Sequence, residues 1–275
     1  MTRLGAPIEP TTSPEEWIQV LQQQGYRAAY CPIEATADSA TRQAYVRAAK
    51  QANIVIAEVG AWSNPISPDD AIRRAAIERC QTQLALAEDI GALCCVNIAG
   101  SRGALWDGPH ADNFSRDTFD LIVETVRAII DAVKPRRTFY SLEPMPWIVP
   151  DSPESYLELV KAIDRPQCGV HLDPVNMITH PRDYFENTAF LKRCFALLGP
   201  RIKSCHAKDI VIRDQLTVHL DEVRPGLGTL DYATYLRCLN SLNDLPLMLE
   251  HLPQEEYAPA AAYVRHIAES LSITL

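Results

Sequence analysis

The sequence predicts one domain over residues 1–275, folded as a parallel (β/α)8 barrel. Three observations carry this. Eight short apolar runs alternate with helix-like patterns, the signature of parallel α/β architecture. No linker, low-complexity run or charge block interrupts the alternation. Four of the later runs end in Glu143, Asp173, His206 and Glu250, spaced 30, 33 and 44 residues apart. A strand with its crossover helix takes roughly 30 residues or more. The four endings therefore fall one per β/α unit, and a parallel barrel brings the carboxyl ends of its strands to one face.

The first strand is read at Arg3–Ile8. Thr12-Ser13-Pro14-Glu15-Glu16 opens a helix, with a hydroxyl cap, proline in the first turn and acids at the positive helix end. Gly25 ends it. Arg27–Pro32 is the second strand, and a helix covers about 39–51. Ile54–Val59 is the third strand, followed by a loop carrying Trp62, which with Glu58 is placed at the barrel mouth. Pro68-Asp69-Asp70 starts a helix to about Ile90, its apolar residues (Ile72, Ala76, Cys80, Leu84, Ala87) recurring every three or four positions. Ala92–Ile98 is the fourth strand and puts Asn97 near its end. Residues 100–113 form a loop long enough to suggest function. A helix over 115–133 leads to Thr138–Glu143, where Pro144 and Pro146 stop ladder pairing. Ser152-Pro153-Glu154 caps the next helix, and Cys168–Asp173 is the sixth strand. Residues 181–198 are helical, with a break in the middle. The strand ending in His206 precedes a long segment to Pro225-Gly226-Leu227-Gly228. A helix over 230–242, the strand ending in Glu250 and a helix over 255–271 complete the chain.

Composition narrows the function. With 47% hydrophobic and 22% charged residues, the chain reads as an ordinary globular protein. The net charge of -9 argues against nucleic-acid and anionic-membrane partners, which require clustered Lys and Arg. No apolar run approaches the roughly 20 residues of a membrane span. The eight cysteines form no C-x-x-C pair, and Cys94-Cys95 lies in an apolar run suited to core packing. With no signal-like N-terminus, a reducing cytoplasm is the expected location.

Two glutamates, one aspartate and one histidine make a hard, oxygen-rich ligand set for a divalent cation. Mn²⁺ is the first expectation, with Mg²⁺, Co²⁺ and Zn²⁺ open. Such a cation would polarise adjacent substrate oxygens and stabilise an enediolate. Glu143 and Glu250 are the candidate catalytic pair, moving a proton at the carbon beside a carbonyl. His171 alternates onto the side of Asp173, as a partner of the ligands or a substrate contact. Lys208 lies two residues past His206, so strand periodicity aims it at the same pocket. Taken singly, Asp173 reads as a helix cap before Pro174 and Asp209 as a turn residue. His251 should face away from Glu250.

The motifs Leu142-Glu143-Pro144, His171-Leu172-Asp173-Pro174, His206-Ala207-Lys208-Asp209, Pro225-Gly226-Leu227-Gly228 and Leu249-Glu250 resemble the xylose isomerase-like TIM-barrel superfamily. Within it, the sugar phosphate isomerase/epimerase group is most similar. The resemblance covers roughly residues 50–260. It implies Glu143, Asp173, His206 and Glu250 as metal ligands, the two glutamates as acid and base, a carbohydrate substrate, and a homodimer as one common assembly. Ketose 3-epimerases of the family carry a His where this chain has Asn176 and an Arg where it has Ile212. Asn176 and Arg224 are accordingly candidate substrate contacts, with His171, Lys208, Asn97 and Trp62. Metal-dependent isomerisation or epimerisation of a sugar-like polyol is the leading expectation. The alternatives are a lyase or dehydratase acting on a keto-sugar, keto-inositol or oxidised glycoside, a nuclease-like metal cluster, and a non-catalytic sugar-binding protein.

Overall fold

The computed structural model describes residues 1–242 and 244–275. Among them, eight parallel strands close into a barrel in the order β1-β10-β7-β6-β5-β4-β3-β2. The strands in chain order are β1 (Thr2–Gly5), β2 (Ala28–Tyr30), β3 (Val55–Gly60), β4 (Cys94–Asn97), β5 (Phe139–Leu142), β6 (Cys168–Leu172) and β7 (Ile202–Ala207), then β8 (Asp209–Ile212), β9 (Leu220–Val223) and β10 (Leu245–Leu249). The helices are α1 (Pro14–Gln23), α2 (Ser39–Ala52), α3 (Asp70–Ile90), α4 (Arg116–Val133), α5 (Pro153–Ile163), α6 (Pro174–Met177), α7 (Pro181–Phe185), α8 (Asn187–Leu198), α9 (Tyr232–Ser241) and α10 (Tyr257–Ser270).

Local chemistry sets the helix starts. Ser13, Asp38, Asp69, Ser115 and Ser152 each accept a backbone N–H of the first turn through the side chain. The α3 helix ends at Gly91, whose φ of 70° suits a residue without Cβ. Its core face carries Ala76, Cys80, Leu84, Ala87 and Ile90, whereas Ile72, read from the sequence as part of that face, is exposed. A fully buried leucine such as Leu84 contributes about 1.5–3 kcal/mol. At the N-terminal end of the strands, Arg3 on β1 closes the barrel. Its guanidinium contacts both Asp244 oxygens at 2.7 and 3.0 Å and the Asn53 carbonyl at 2.8 Å.

The structure departs from the sequence reading in two places. The long segment after β7 contains an antiparallel hairpin, β8–β9, with Ile210 opposite Glu222. A short helix, α6, begins immediately after Asp173. The break expected within 181–198 falls at Glu186, between α7 and α8. No helix among the described residues is long and apolar enough to cross a membrane.

Candidate metal centre

The centre is held from outside the barrel by helix-borne phenols. From α9, Tyr235 donates to the His206 carbonyl at 2.9 Å and Tyr232 to the Lys208 carbonyl at 2.8 Å. From α5, the Tyr156 hydroxyl donates to the Leu142 carbonyl and accepts the His171 N–H at 3.0 Å. All three tyrosines are fully buried. Each fixes the backbone of a strand just before, at or just after a site residue.

Glu143, Asp173, His206 and Glu250 present ligand atoms that all lie within 4.8 Å of one another, and all four residues are buried. His206 Nδ1 is 2.7 Å from Glu250 Oε1, 3.4 Å from Glu143 Oε1 and 3.5 Å from Asp173 Oδ2. Yet His206 Nδ1, Asp173 Oδ2 and Glu250 Oε1 make no aligned hydrogen bond. Buried polar atoms are normally satisfied; these atoms instead face a shared space, within ion-pair distance of one another and of Lys208. That arrangement fits a divalent cation: three hard carboxylates and one imidazole could hold it and leave coordination positions for substrate oxygens.

Asp173 does two jobs. Its Oδ1 caps α6 by accepting the Val175 and Asn176 N–H groups at 3.0 and 3.1 Å, and its Oδ2 faces the centre. The cap expected from the sequence is thus made by one oxygen, and the other remains available to the centre. Asn176 donates to Glu143 Oε1 at 2.9 Å and to the Pro144 carbonyl at 3.1 Å, fixing one glutamate oxygen.

Lys208 supplies positive charge to the same oxygens. Its Nζ is 2.7 Å from Glu250 Oε1, 2.9 Å from Asp173 Oδ2, 3.3 Å from Glu222 Oε2 and 3.6 Å from Glu143 Oε1, with the side chain almost wholly buried. Burial alone would lower the lysine pKa, but Asp173, Glu250, Glu143 and Glu222 together drive it well above its ordinary value. Burial would raise the Asp173 and Glu250 carboxyls. The cationic Lys208 and His206 beside them outweigh it and hold both well below the carboxylate range.

Beneath the centre lies a second buried tier. Glu58 Oε1 is 3.0 Å from His171 Nε2 and also accepts the Ser204 hydroxyl, and its Oε2 is 3.5 Å from His206 Nε2. The His171 and His206 rings meet edge to face at 4.1 Å. Burial would raise Glu58, but the two imidazoles reverse the effect and lower it. Glu58 therefore sits below the centre, not at the mouth. His171 contacts Glu58 and lies outside the cleft, so its reading as a substrate contact is corrected.

Above the centre opens a cleft of about 440 Å³ lined by Trp62, Trp106, Trp147, Asn176, Lys208 and Glu222, among others. Two other expected contacts do not reach it. Asn97 turns toward α3, accepting the Ser63 N–H at 3.1 Å and donating to Cys80 Sγ at 3.3 Å. Arg224 is paired with Glu256 at 2.5 Å. The structure adds residues that sequence reasoning missed. Glu222 arrives on the unforeseen hairpin. His251 has φ of 54°, so the strand alternation breaks and its ring turns toward Glu222, with Nδ1 3.5 Å from Glu222 Oε1. The Trp106 signal lay in the long loop over 100–113.

Asp209 organises the hairpin base. Its two oxygens accept four backbone N–H groups, from Ile210, Gly226, Gly228 and Leu230, at 2.9–3.1 Å. A Cβ at Gly228 would meet Asp209 Oδ1 at 2.3 Å, so only glycine allows this approach.

The family model described as xylose isomerase-like TIM barrel matches residues 17–270. No curated protein sequence matches the chain. Among solved structures, the chain is similar to the probable 3-DHS dehydratase AsbF involved in petrobactin synthesis from Bacillus anthracis. Identity is 18% and the TM-score 0.73, covering 98% of this chain and 99% of that one. It is similar to a xylose isomerase-like TIM barrel protein from Mycobacterium smegmatis in complex with magnesium, at 14% identity and TM-score 0.67, covering 98% and 96%. It is also similar to the 3-keto-D-glucoside 4-epimerase YcjR from E. coli, at 14% identity and TM-score 0.66, covering 97% and 100%. At these identities the likeness carries the fold.

Proposed function

The chain belongs to the xylose isomerase-like TIM-barrel family, and on that premise we propose that it is a divalent-metal-dependent isomerase or epimerase acting on a sugar-like polyol. The observation that carries this reading is the convergence of Glu143, Asp173, His206 and Glu250 around one space under a cleft. These four residues would hold the cation, with Mn²⁺ or Mg²⁺ suited to the oxygen-rich set. When bound, the cation supplies Lewis acidity to a substrate carbonyl and its neighbouring hydroxyl.

The remaining work falls to the chain. Asn176 holds Glu143 Oε1, which leaves the other oxygen free to remove or return a proton at the carbon beside the carbonyl. Glu250 is the second proton-handling group, kept ionised by Lys208 and His206. Return of the proton to the opposite face gives an epimer; return to the neighbouring carbon gives an aldose–ketose pair. Glu58 orients His206 so that Nδ1 faces the ligand space. The tryptophans of the cleft cover the apolar face of a sugar ring and exclude water.

A second reading, elimination of water or another leaving group, is favoured by one observation. The Lys208 ammonium lies at the cleft wall beside Glu250, where its charge and N–H groups can stabilise the negative charge developing on a departing hydroxyl. The eight cysteines are unpaired thiols, in keeping with a reducing cytoplasm.

Solvent deuterium wash-in decides among these. A metal-loaded sample incubated in D₂O with ketoses and keto-glucosides should place deuterium on the carbon next to the carbonyl, and Glu143→Gln and Glu250→Gln should stop it. A new alkene or carbonyl product would assign the lyase reading. Retention of both metal and full exchange in the two variants would remove the assignment.

A further inference from the structure

A second cavity opens beside the metal cleft, over the carboxyl ends of β1 and β2. It holds about 660 Å³ and is walled chiefly by Pro7, Ile8, Trp17, Tyr30, Pro32 and Tyr257. Its position is what matters. Trp62, Glu250 and His251 line both this cavity and the cleft above the metal centre, so the two spaces meet at a candidate ligand residue. Each is of a size that holds a small organic ligand, and the second has the largely apolar wall of such sites. A free monosaccharide fits within the cleft and would leave the second cavity to water.

The charge on the walls is a second, independent observation. Glu9, Asp107, Glu143, Glu222 and Glu250 line the two spaces. Among the described residues, Lys208 is the one Lys or Arg in either wall, and it is engaged by Asp173, Glu222 and Glu250. Arg224, the other nearby candidate, is bound to Glu256. A divalent cation in the centre would still leave the acids in excess. A phosphate or carboxylate on the substrate would meet repulsion without an unengaged cation to receive it.

From these two observations we infer that the substrate is an uncharged two-part molecule: a polyol seated at the metal centre and an apolar ring or chain substituent lying in the second cavity. This rests on the isomerase or epimerase reading for where the polyol sits, but the second cavity can be tested without turnover. Trp62 and His251 form the threshold between the parts, and Glu250 stands at the junction.

The test is calorimetric titration of Mn²⁺-loaded protein with two matched pairs: methyl and phenyl 3-keto-β-D-glucopyranoside, and D-fructose and D-fructose 6-phosphate. The phenyl compound should bind at least about tenfold more tightly than the methyl one, as expected for burying a ring. Thr11→Trp, at a partly exposed position lining the second cavity, and separately Ile8→Trp, should abolish that preference while leaving methyl-glucoside affinity within about twofold. The phosphorylated ketose should bind no better than the free one. A phenyl-to-methyl ratio near one, absence of glucoside binding, an unchanged ratio in both variants, or tighter binding of the phosphate would each overturn the inference. Deuterium exchange on the same samples separates the two ideas. Exchange without phenyl preference defeats the two-part substrate alone, whereas phenyl preference without exchange defeats the isomerase reading alone.

Discussion

Replacing Lys208 with methionine keeps the unbranched stem of the side chain, one heavy atom shorter, and removes its charge. In the structure that charge lies 2.7, 2.9 and 3.3 Å from oxygens of Glu250, Asp173 and Glu222. Each such contact is worth several kcal/mol of gross attraction even at an effective dielectric of about 20. Much of this is offset by the desolvation of the buried groups. The net cost of deleting one partner of a buried ion pair is roughly 3–5 kcal/mol, because the remaining acids are left facing one another. For a chain of this size each kcal/mol moves Tm by about 2 °C, so metal-free Lys208→Met should melt roughly 6–10 °C below the parent. A divalent cation draws on the same oxygens and should replace the lost charge. Mn²⁺ should therefore raise Tm more in the variant than in the parent, where Lys208 and the cation compete. The assay is a thermal melt by circular dichroism, with EDTA and then with a titration of Mn²⁺. If the metal-free variant melts within 1 °C of the parent, or Mn²⁺ shifts both equally, then Lys208 is not neutralising this cluster and the electrostatic account is wrong.

Three further outcomes follow from the same geometry. Glu58→Gln should weaken Mn²⁺ binding about 10- to 100-fold, read by competition with a chelator, because His206 loses the carboxylate that orients its ring; a change under twofold would show that Glu58 does not set the ligand. Asp209→Asn should leave two buried N–H donors facing an amide, costing roughly 2–5 kcal/mol in urea denaturation, and an unchanged midpoint would contradict the four-bond clamp. The Asp173 and Glu250 carboxyls are held below their unfolded values, so the stability they contribute is complete above about pH 5 and drains away as pH falls through the folded values. The Tm of metal-free protein should accordingly drop between about pH 5 and 2.5, and drop less in Asp173→Asn; identical pH profiles for the two proteins would disprove the link.

The four strand ends could be read from sequence because a parallel barrel converts spacing along the chain into convergence in space. Glu143, Asp173, His206 and Glu250 each lie at the close of an apolar run, and the parallel register brings their ligand atoms together. What stayed hidden has specific causes. Asp209-Ile210-Val211-Ile212 follows β7 after one residue, so no turn signal announces a hairpin, and Leu220-Asp221-Glu222-Val223 lacks apolar alternation because it is half solvated. Glu222 was invisible for that reason. His251 broke the alternation through a left-handed backbone that residues other than glycine adopt uncommonly. Asn97 was assigned to the cleft by its place at a strand end, yet strand ends also face the helices, and Cys80 on α3 with the Ser63 N–H takes its amide. Arg224 depended on loop alignment, and loops obey no register.

Because one oxygen of Asp173 is committed to the first turn of α6, this carboxylate cannot swing. The centre thus has one carboxylate anchored on backbone and another, Glu143, held by the Asn176 side chain. Longer acids cannot replace the fixed corner: an added methylene would force a choice between tethering the helix and reaching the ion. Substitutions that this scaffold tolerates should therefore fall in the loops above the centre rather than at the short acid or the proline behind it.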